Sequence, residues 1–220
     1  RDDVESRGLG DVYKRQYLTR PPKRSDVLSV FAGLRPLAAP RSEGKKTKEI
    51  SRSHKLIREK SGLITIIGGK WTTYRKMAQD TLDLAIRYMH IPTKDCITER
   101  YQIHGSRKNP DFSDPLYVYG TDADEIRNLV ASSPAMAEKL HPDYAYTVGE
   151  VTWLVRNEMP RTLEDVLARR LRILFLDARA AMAMAPKVAG ILATEWGKDE
   201  TWTSAQVKAF NEVASNYILN

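Results

Sequence analysis

LITIIGGKWTTYRK, the stretch from Leu63 to Lys76, predicts a strand, a tight turn and a helix in immediate succession. Its first five residues are rich in β-branched side chains and predict a buried strand over Leu63–Ile67. The pair Gly68 and Gly69 then allows a tight turn. A helix is predicted from Trp71 to about Met89, with one apolar face made of Tyr74, Ala78, Leu82, Ile86 and Met89. A glycine turn that leads into a helix exposes backbone N–H groups at a positive dipole end, which suits an anion or an electron-rich ring edge.

Lys70 lies in the first turn of this helix, where a cation is unfavourable unless a negative group is nearby. The alternative interpretation is a solvated lysine after an ordinary strand, turn and helix. A phosphate loop of the form GxxxxGK[ST] is excluded, because it requires glycine at Ile64 and serine or threonine at Trp71. The only G-x-G, at residues 8–10, lacks a third glycine and a preceding apolar strand, so it does not indicate a dinucleotide site.

Upstream of this stretch the pattern is also that of a sheet. Val27–Phe31 is strand-like, Ala38–Lys48 predicts an exposed loop, and His54–Arg58 predicts a second strand. The short glycine-containing segment Lys60–Gly62 joins that strand to Leu63–Ile67 as a hairpin. The first portion of the chain is therefore predicted to be mixed α/β, the tail end of a larger sheet domain.

The rest of the chain predicts helices after a linker. Residues 91–119 hold several Pro and Gly residues and few periodic apolar positions, which favours an inter-domain linker. Helix starts are predicted from N-terminal capping residues, at Thr121 with Asp124, Thr147, Thr162 with Asp165, Asp177, and Thr203 with Gln206. Pro186, inside the helix that begins at Asp177, is predicted to kink the axis by removing one backbone hydrogen bond.

Composition narrows the classes of function. The net charge is +7, and its excess lies in residues 1–60, which hold 16 Lys and Arg against 8 Asp and Glu. This basic part lacks the periodic basic helix or interleaved aromatics of nucleic-acid modules, so we expect no nucleic-acid partner.

One cysteine, Cys96, excludes an internal disulfide framework and fits a reducing compartment. The four histidines lack metal-ligand spacing, so no metal site is expected, and no apolar run approaches the length of a membrane span.

Three short sequence motifs follow one another in the first part of the chain. They are SVFAGLRPL at Ser29–Leu37, SRSH at Ser51–His54, and IIGGKWTTYRKMA at Ile66–Ala78. These blocks resemble the FAD-dependent glycerol-3-phosphate dehydrogenases. The segment EVTWLVRNEMPRTLEDVLARRLRILFLDARAAMAMAPKVAGIL at Glu150–Leu192 resembles the C-terminal helical domain of that family. The resemblance thus covers nearly everything from Tyr17 onward.

The resemblance implies a fold in two parts: an α+β fragment of a FAD-dependent, DAO-like oxidoreductase, then an all-α C-terminal domain. Family members begin with a Rossmann-type FAD-binding half that carries a glycine fingerprint, which this sequence lacks. We therefore expect residues 17–105 to be the C-terminal part of the FAD- and substrate-binding domain, and residues 106–220 to be the helical domain. Residues 1–16 show neither periodicity nor resemblance and are expected to be a non-native or disordered leader.

The same resemblance implies site residues, with no catalytic base assigned. Arg35 and Arg52 correspond to substrate-contacting arginines, and an arginine fork can hold a phosphate through two hydrogen bonds. Lys70 would lie beside substrate and flavin, where a fixed cation stabilises the negative charge of the reduced ring near N1 and the C2 oxygen. The implied cofactor-binding set is Gly68, Gly69, Lys70, Trp71 and Thr72. Arg169, Arg170 and Arg172 are interpreted as a solvated face or as partners of Glu158 and Asp165 rather than as a phosphate patch.

The activity implied is oxidation of sn-glycerol 3-phosphate to dihydroxyacetone phosphate, with a hydride passing to FAD and electrons passing on to a quinone. FAD would be bound mostly by the missing N-terminal half, so the chain alone is expected to be inactive. Two alternatives stay open: a glycerol-3-phosphate oxidase that uses oxygen, and a stand-alone basic helical module that binds nucleic acid or a protein. We expect a cytoplasmic protein that associates peripherally with the inner face of the cytoplasmic membrane, and a homo-oligomer is compatible with the sequence.

Overall fold

Residues 19–20, 22–33 and 53–219 are described by the computed structural model of this chain. They divide into two units, one from Gly33–Ser106 and one from Arg1–Ala32 together with Arg107–Asn220. These are named here the hairpin unit and the helical unit. The predicted leader lies outside the described residues, and the assignment of residues 17–105 and 106–220 to two functional domains stays a prediction.

The hairpin unit contains the predicted hairpin and helix. Strand β1 (Lys55–Arg58) pairs antiparallel with β2 (Ile64–Ile67), with Lys55 opposite Ile67 and Arg58 opposite Ile64. Gly62 adopts φ 91°, a left-handed turn conformation that glycine reaches without steric cost. A short 3₁₀ turn at Trp71–Thr73 then leads into helix α1 (Tyr74–Met89). The predicted order of strand, turn, strand and helix is confirmed.

The hairpin unit has no core of its own among its described residues. No residue from 53 to 106 is buried, and β2, predicted to be a buried strand, is only half-buried along its length. The predicted apolar face of α1 is exposed, with Tyr74 at 60%, Leu82 at 61% and Met89 at 69% of full exposure. The physical reason is that two short strands and one helix cannot enclose their own apolar surface.

The helical unit holds the buried core of the described chain. Its helices are α2 (Ala123–Ala131), α3 (Pro134–Ala137), α4 (Val148–Asn157), α5 (Ile173–Leu176), α6 (Ala178–Trp196) and α7 (Glu200–Ser215), with a π-helix at Asp165–Arg170. Helix α6 is central, because α4, α5 and α7 all pack against it. The largest fully buried side chains of the helical unit include Ile126, Leu154, Leu163, Leu167, Ile173, Leu174, Met184 and Leu192. Pro186 lies inside α6, and the helix continues through it. The structure is thus mostly helical with a small two-stranded sheet.

The segment Val27–Phe31, predicted as strand-like, forms no strand. It is extended and bonds to helix ends: Ser29 Oγ donates to Leu174 O at 2.7 Å, and Val30 N donates to Tyr217 O at 2.8 Å. The Phe31 ring packs edge-on against Phe175, with ring centroids 5.0 Å apart. The prediction was wrong because free carbonyl groups at helix C-termini, rather than a neighbouring strand, supply the hydrogen-bond partners of this segment.

Three of the predicted helix caps are confirmed. Thr147 Oγ1 accepts from Glu150 N at 3.2 Å, and Asp177 Oδ1 accepts from Ala180 N at 2.9 Å. Thr162 and Asp165 form the predicted reciprocal capping box, with Asp165 N bonded to Thr162 Oγ1 and Thr162 N bonded to Asp165 Oδ2.

The other two predicted caps are wrong. The 3₁₀ segment Tyr117–Asp122 before helix α2 is broken at Gly120, so Thr121 lies in the short turn that follows this break and Asp122 is the residue that directly precedes α2, which has no side-chain cap. Helix α7 begins earlier than predicted, because Asp199 Oδ1 accepts from Trp202 N at 2.8 Å. Thr203 is thereby placed within the helix.

Candidate functional site

The glycine turn after β2 has a backbone that only glycine adopts easily. Gly68 has φ 75° and Gly69 has φ 83°, both in the left-handed region. A Cβ atom on Gly69 would also collide with the sulfur of Met77 and lie 3.3 Å from the Cβ of His54. The turn is therefore packed closely onto α1 on one side and onto the start of β1 on the other.

Thr73 fixes the start of the helix that follows the turn. Lys70 N donates to Thr73 Oγ1 at 3.1 Å, and the same hydroxyl donates to Lys70 O at 2.9 Å. The next N–H groups, of Trp71 and Thr72, belong to the first turn and have no acceptor within the helix itself. The Lys70 side chain is exposed and forms no ion pair with any described residue. One ammonium and two N–H donors without an acceptor among the described residues thus lie at a positive helix end.

An aromatic pair borders these donors. The Trp71 side chain is 88% exposed, and its ring lies 5.9 Å from the ring of Tyr74 in a tilted arrangement. Thr72 is exposed as well. The structure therefore brings together five of the predicted site residues, Gly68, Gly69, Lys70, Trp71 and Thr72, on one open turn.

Three side chains behind this turn were not predicted as a group. His54 Nε2 lies 2.9 Å from Asp80 Oδ2, and Lys76 Nζ lies 2.9 Å from Asp80 Oδ1. The Lys76 ammonium is the main cause that lowers the pKa of Asp80, and the His54 bond lowers it further against partial desolvation. The i,i+4 spacing of Lys76 and Asp80 is visible in the sequence, whereas the 26-residue separation of His54 from Asp80 gives no signal.

The remaining arginine predictions have different outcomes. Arg35 and Arg52 lie outside the described residues, so their substrate roles stay predictions. Arg169 and Arg170 are paired: Arg169 Nη1 lies 3.1 Å from Asp165 Oδ1, and Arg170 Nε lies 3.2 Å from Glu158 Oε2. The interpretation of this pair as partners of acidic side chains is confirmed.

The donor set of the turn fits an anionic group or the electron-rich edge of a flavin. Lys70 supplies a fixed charge, the first-turn N–H groups supply hydrogen bonds, and the two glycines allow close backbone approach.

Within the described ranges no group of three or more His, Cys, Asp or Glu side chains is placed to hold a metal ion. Nor does any described helix have the length and hydropathy to cross a membrane.

Comparison with known proteins places this geometry in a family. Residues 63–203 match the family described as the C-terminal domain of alpha-glycerophosphate oxidase, and this range includes the whole glycine turn. The mitochondrial glycerol-3-phosphate dehydrogenase of Arabidopsis thaliana is 32% identical over 246 residues, covering 91% of this chain and 39% of that protein. Its counterpart in Mesocricetus auratus is 31% identical over 220 residues, covering 89% of this chain and 29% of that protein.

The chain spans about a third of the length of the curated relatives that it matches. The family match covers well over half of the chain and runs from the hairpin through the helical unit. The chain therefore belongs to the family of the alpha-glycerophosphate oxidase C-terminal domain, and its curated relatives are glycerol-3-phosphate dehydrogenases.

Proposed function

We propose that this chain is part of a FAD-dependent glycerol-3-phosphate dehydrogenase that oxidises sn-glycerol 3-phosphate to dihydroxyacetone phosphate. The observation that carries the proposal is the turn Gly68–Thr72, whose free cation and first-turn N–H groups suit the N1 edge of a flavin. Bound FAD would accept a hydride from C2 of the substrate while the hydroxyl proton leaves to a base, which balances the conversion of the alcohol to a ketone. A quinone is the proposed final electron acceptor.

The chain's own residues would bind and orient the two reactants. Lys70 would hold positive charge against the ring edge where negative charge develops, which favours the transfer. Gly68 and Gly69 would let the backbone approach the ring without a side chain in the way. Arg35 and Arg52 would hold the substrate phosphate through paired hydrogen bonds, which fixes the distance from C2 to the acceptor.

The exposure of the hairpin unit supports its being part of a larger FAD-binding domain. No described residue from 53 to 106 is buried, and the apolar face of α1 has no cover among the described residues of its unit. Relatives about three times as long provide additional chain that can cover such a surface. FAD would accordingly be held mostly by residues outside this sequence.

The proposal is tested by Arg35→Ala in the longer protein that carries this chain. KM for glycerol 3-phosphate, measured with a soluble electron acceptor, should rise strongly while FAD content stays unchanged, because the arginine contacts the substrate phosphate. Arg179→Ala is the matched control, since Arg179 is exposed in the helical unit and has no described side-chain partner. An unchanged KM in Arg35→Ala would contradict the assignment.

Lys70→Met tests the flavin side of the same proposal. Removing a cation near N1 should lower the reduction potential of the bound flavin, because negative charge on the reduced ring loses its stabilisation. Potentiometric titration of the purified protein, followed by visible absorption, measures this directly. A potential equal to that of the unmodified protein would show that Lys70 does not lie at the ring.

One observation favours a second candidate, an oxidase. The matching family is described by alpha-glycerophosphate oxidase, whereas the relatives named above are dehydrogenases. Oxygen consumption by the FAD-loaded protein with glycerol 3-phosphate and no quinone would support the oxidase. Reduction of a quinone without oxygen uptake would support the dehydrogenase. Peripheral association with the inner face of the cytoplasmic membrane is a separate part of the proposal.

A further inference from the structure

His54, Asp80 and Lys76 form a hydrogen-bonded row directly behind the glycine turn. The Asp80 carboxylate uses both oxygens, one for His54 Nε2 at 2.9 Å and one for Lys76 Nζ at 2.9 Å. The His54 and Asp80 side chains are only 20% and 29% exposed, whereas Lys76 is more open to solvent at 54%. The His54–Asp80 bond is therefore the less solvent-exposed of the two.

This bond joins the two elements that flank the turn. His54 directly precedes β1, whose first residue, Lys55, pairs with Ile67, the last residue before the glycine turn. Asp80 lies on α1, two turns after the helix begins. This hydrogen bond therefore ties the chain beside the turn to the helix that follows it, and the Arg58 guanidinium over the Tyr88 ring makes a second contact between β1 and α1 near the other end of the helix.

The turn itself rests on the same two elements. Gly69 packs so closely that a Cβ would meet the Met77 sulfur and approach the His54 Cβ to 3.3 Å. Met77 lies next to Lys76 and three residues before Asp80, so it shares the helix surface that faces the hairpin. If β1 and α1 separate, the support under Gly69 is lost and Lys70, the next residue, moves with the turn.

We infer that His54 is a positioning residue for Lys70: through Asp80 it holds the hairpin against α1 and thereby sets where the Lys70 ammonium lies. The inference rests on the proposed function, because it concerns the same flavin-facing lysine. His54 itself donates or accepts no proton in the reaction under this assignment. Its role is to keep the glycine turn in one conformation, because a glycine pair without such support would sample many.

The test uses the longer, FAD-loaded protein and compares variants that differ only in this bond. His54→Phe keeps an aromatic ring but removes the hydrogen bond, and His54→Gln keeps a side-chain N–H that can reach Asp80. Asp80→Ala removes the acceptor from the other side. Asp83→Ala is its matched control, because Asp83 lies one turn further along α1 with an exposed carboxylate that bonds to no described side chain.

His54→Phe and Asp80→Ala should each lower kcat by about 10- to 100-fold, the size of effect expected when a reacting group is displaced by about 1 Å. Both should also shift the flavin reduction potential downward, in the direction of Lys70→Met. His54→Gln should restore both quantities toward those of the unmodified protein. Asp83→Ala should change neither.

A double variant separates positioning from general damage to the fold. In the Lys70→Met background, adding His54→Phe should leave the reduction potential unchanged, because the group that His54 positions is already gone. Additive shifts would overturn the inference, and so would a normal potential and kcat in His54→Phe while Lys70→Met lowers the potential. If Lys70→Met itself leaves the potential unchanged, the flavin role of the turn fails, and the inference falls with it.

Discussion

At the residue scale, the described part of the helical unit contains one buried carboxylate, which lies apart from the glycine turn in the sequence. Glu150 is 4% exposed in the first turn of α4, and Tyr119 Oη donates to its Oε1 at 2.6 Å. The backbone N–H of Thr147 donates to the same carboxylate. Desolvation raises the pKa of Glu150, and these two hydrogen bonds only partly offset that rise. Desolvation and the neighbouring carboxylate together raise the pKa of Tyr119 as well.

Replacing Tyr119 with phenylalanine should destabilise the 220-residue chain. The change leaves a buried carboxylate oxygen without its donor, which costs about 1–3 kcal/mol. Urea unfolding, followed by far-UV circular dichroism, measures the change in the free energy of unfolding. Tyr101→Phe is the matched control, since Tyr101 is exposed and has no described hydrogen bond, and it should be neutral. Equal effects of the two variants would contradict the importance of this bond.

The stability of the chain should fall with rising pH above the ordinary glutamate value of 4.5. Folded Glu150 has a raised pKa, so in this window the native state binds more protons than the unfolded state, and stability decreases as pH rises. The stabilisation that Glu150 contributes is complete at pH values below its pKa in the unfolded state. It is lost as the pH rises through the pKa of Glu150 in the folded state. Unfolding free energies measured across this window should fall less steeply in Glu150→Gln. Part of the slope should remain, because desolvation also raises the pKa of Glu158. An identical slope in Glu150→Gln would disprove the assignment.

At the element scale, the sequence predicts the start of a helix well where only one residue before the helix is a candidate N-cap. Thr147 and Asp177 each stand alone before an apolar helical pattern, and both cap as expected. Before α7 the sequence predicts Thr203 as the cap, whereas the residue that caps the helix is Asp199. The choice depends on where the previous helix stops, and Gly197 ends α6 in the left-handed conformation at φ 63°. That ending leaves only Lys198 as a linker, so Asp199 is the first residue that can cap.

The same holds for the candidate site: the sequence predicts the part made of adjacent residues but not the contact between residues that are far apart in the chain. Gly68, Gly69 and Lys70 are adjacent, so their turn is visible in the sequence. The link from His54 to Asp80 forms only after the hairpin packs on α1, and no local pattern encodes that contact. The segment around Val30 shows the converse, because a strand-like pattern specifies an extended backbone but not the partner that receives its hydrogen bonds.

The two possible caps of α7 give a direct comparison of variants. Asp199→Ala should lower the free energy of unfolding by about 1 kcal/mol, the usual cost of losing an N-cap. Thr203→Ala should change it by less than about 0.5 kcal/mol, because Thr203 lies half-buried inside the helix and its hydroxyl donates only to Asp199 O, at 3.1 Å, rather than capping a free N–H. The midpoint of urea unfolding for each variant measures both values. A larger loss in Thr203→Ala would mean that α7 starts at the residue predicted from sequence.

At the scale of the whole molecule, buried residues are unequally divided between the two units. Every buried residue of the described chain lies between Ala123 and Ala214, in the helical unit, and none lies in residues 53–106. Burial of apolar surface is the main source of folding free energy, so the helical unit can sustain a cooperative core, whereas the hairpin unit has little to hold it closed. The described residues of the hairpin unit thus form the predicted strand pairing but supply no buried core.

Amide hydrogen exchange of the 220-residue chain should therefore show two levels of protection. Amides in α4 and α6 should exchange only through global unfolding, while those of β2, such as Ile66, should exchange through frequent local opening, because few buried contacts oppose it. In the longer FAD-loaded protein, Ile66 should gain protection, since the proposed larger domain would cover the hairpin. Addition of FAD to the 220-residue chain alone is the control and should leave Ile66 unprotected. Protection at Ile66 equal to that in α6, in the chain alone, would show that the hairpin unit is stable without further residues and would remove the main support for a larger domain around it.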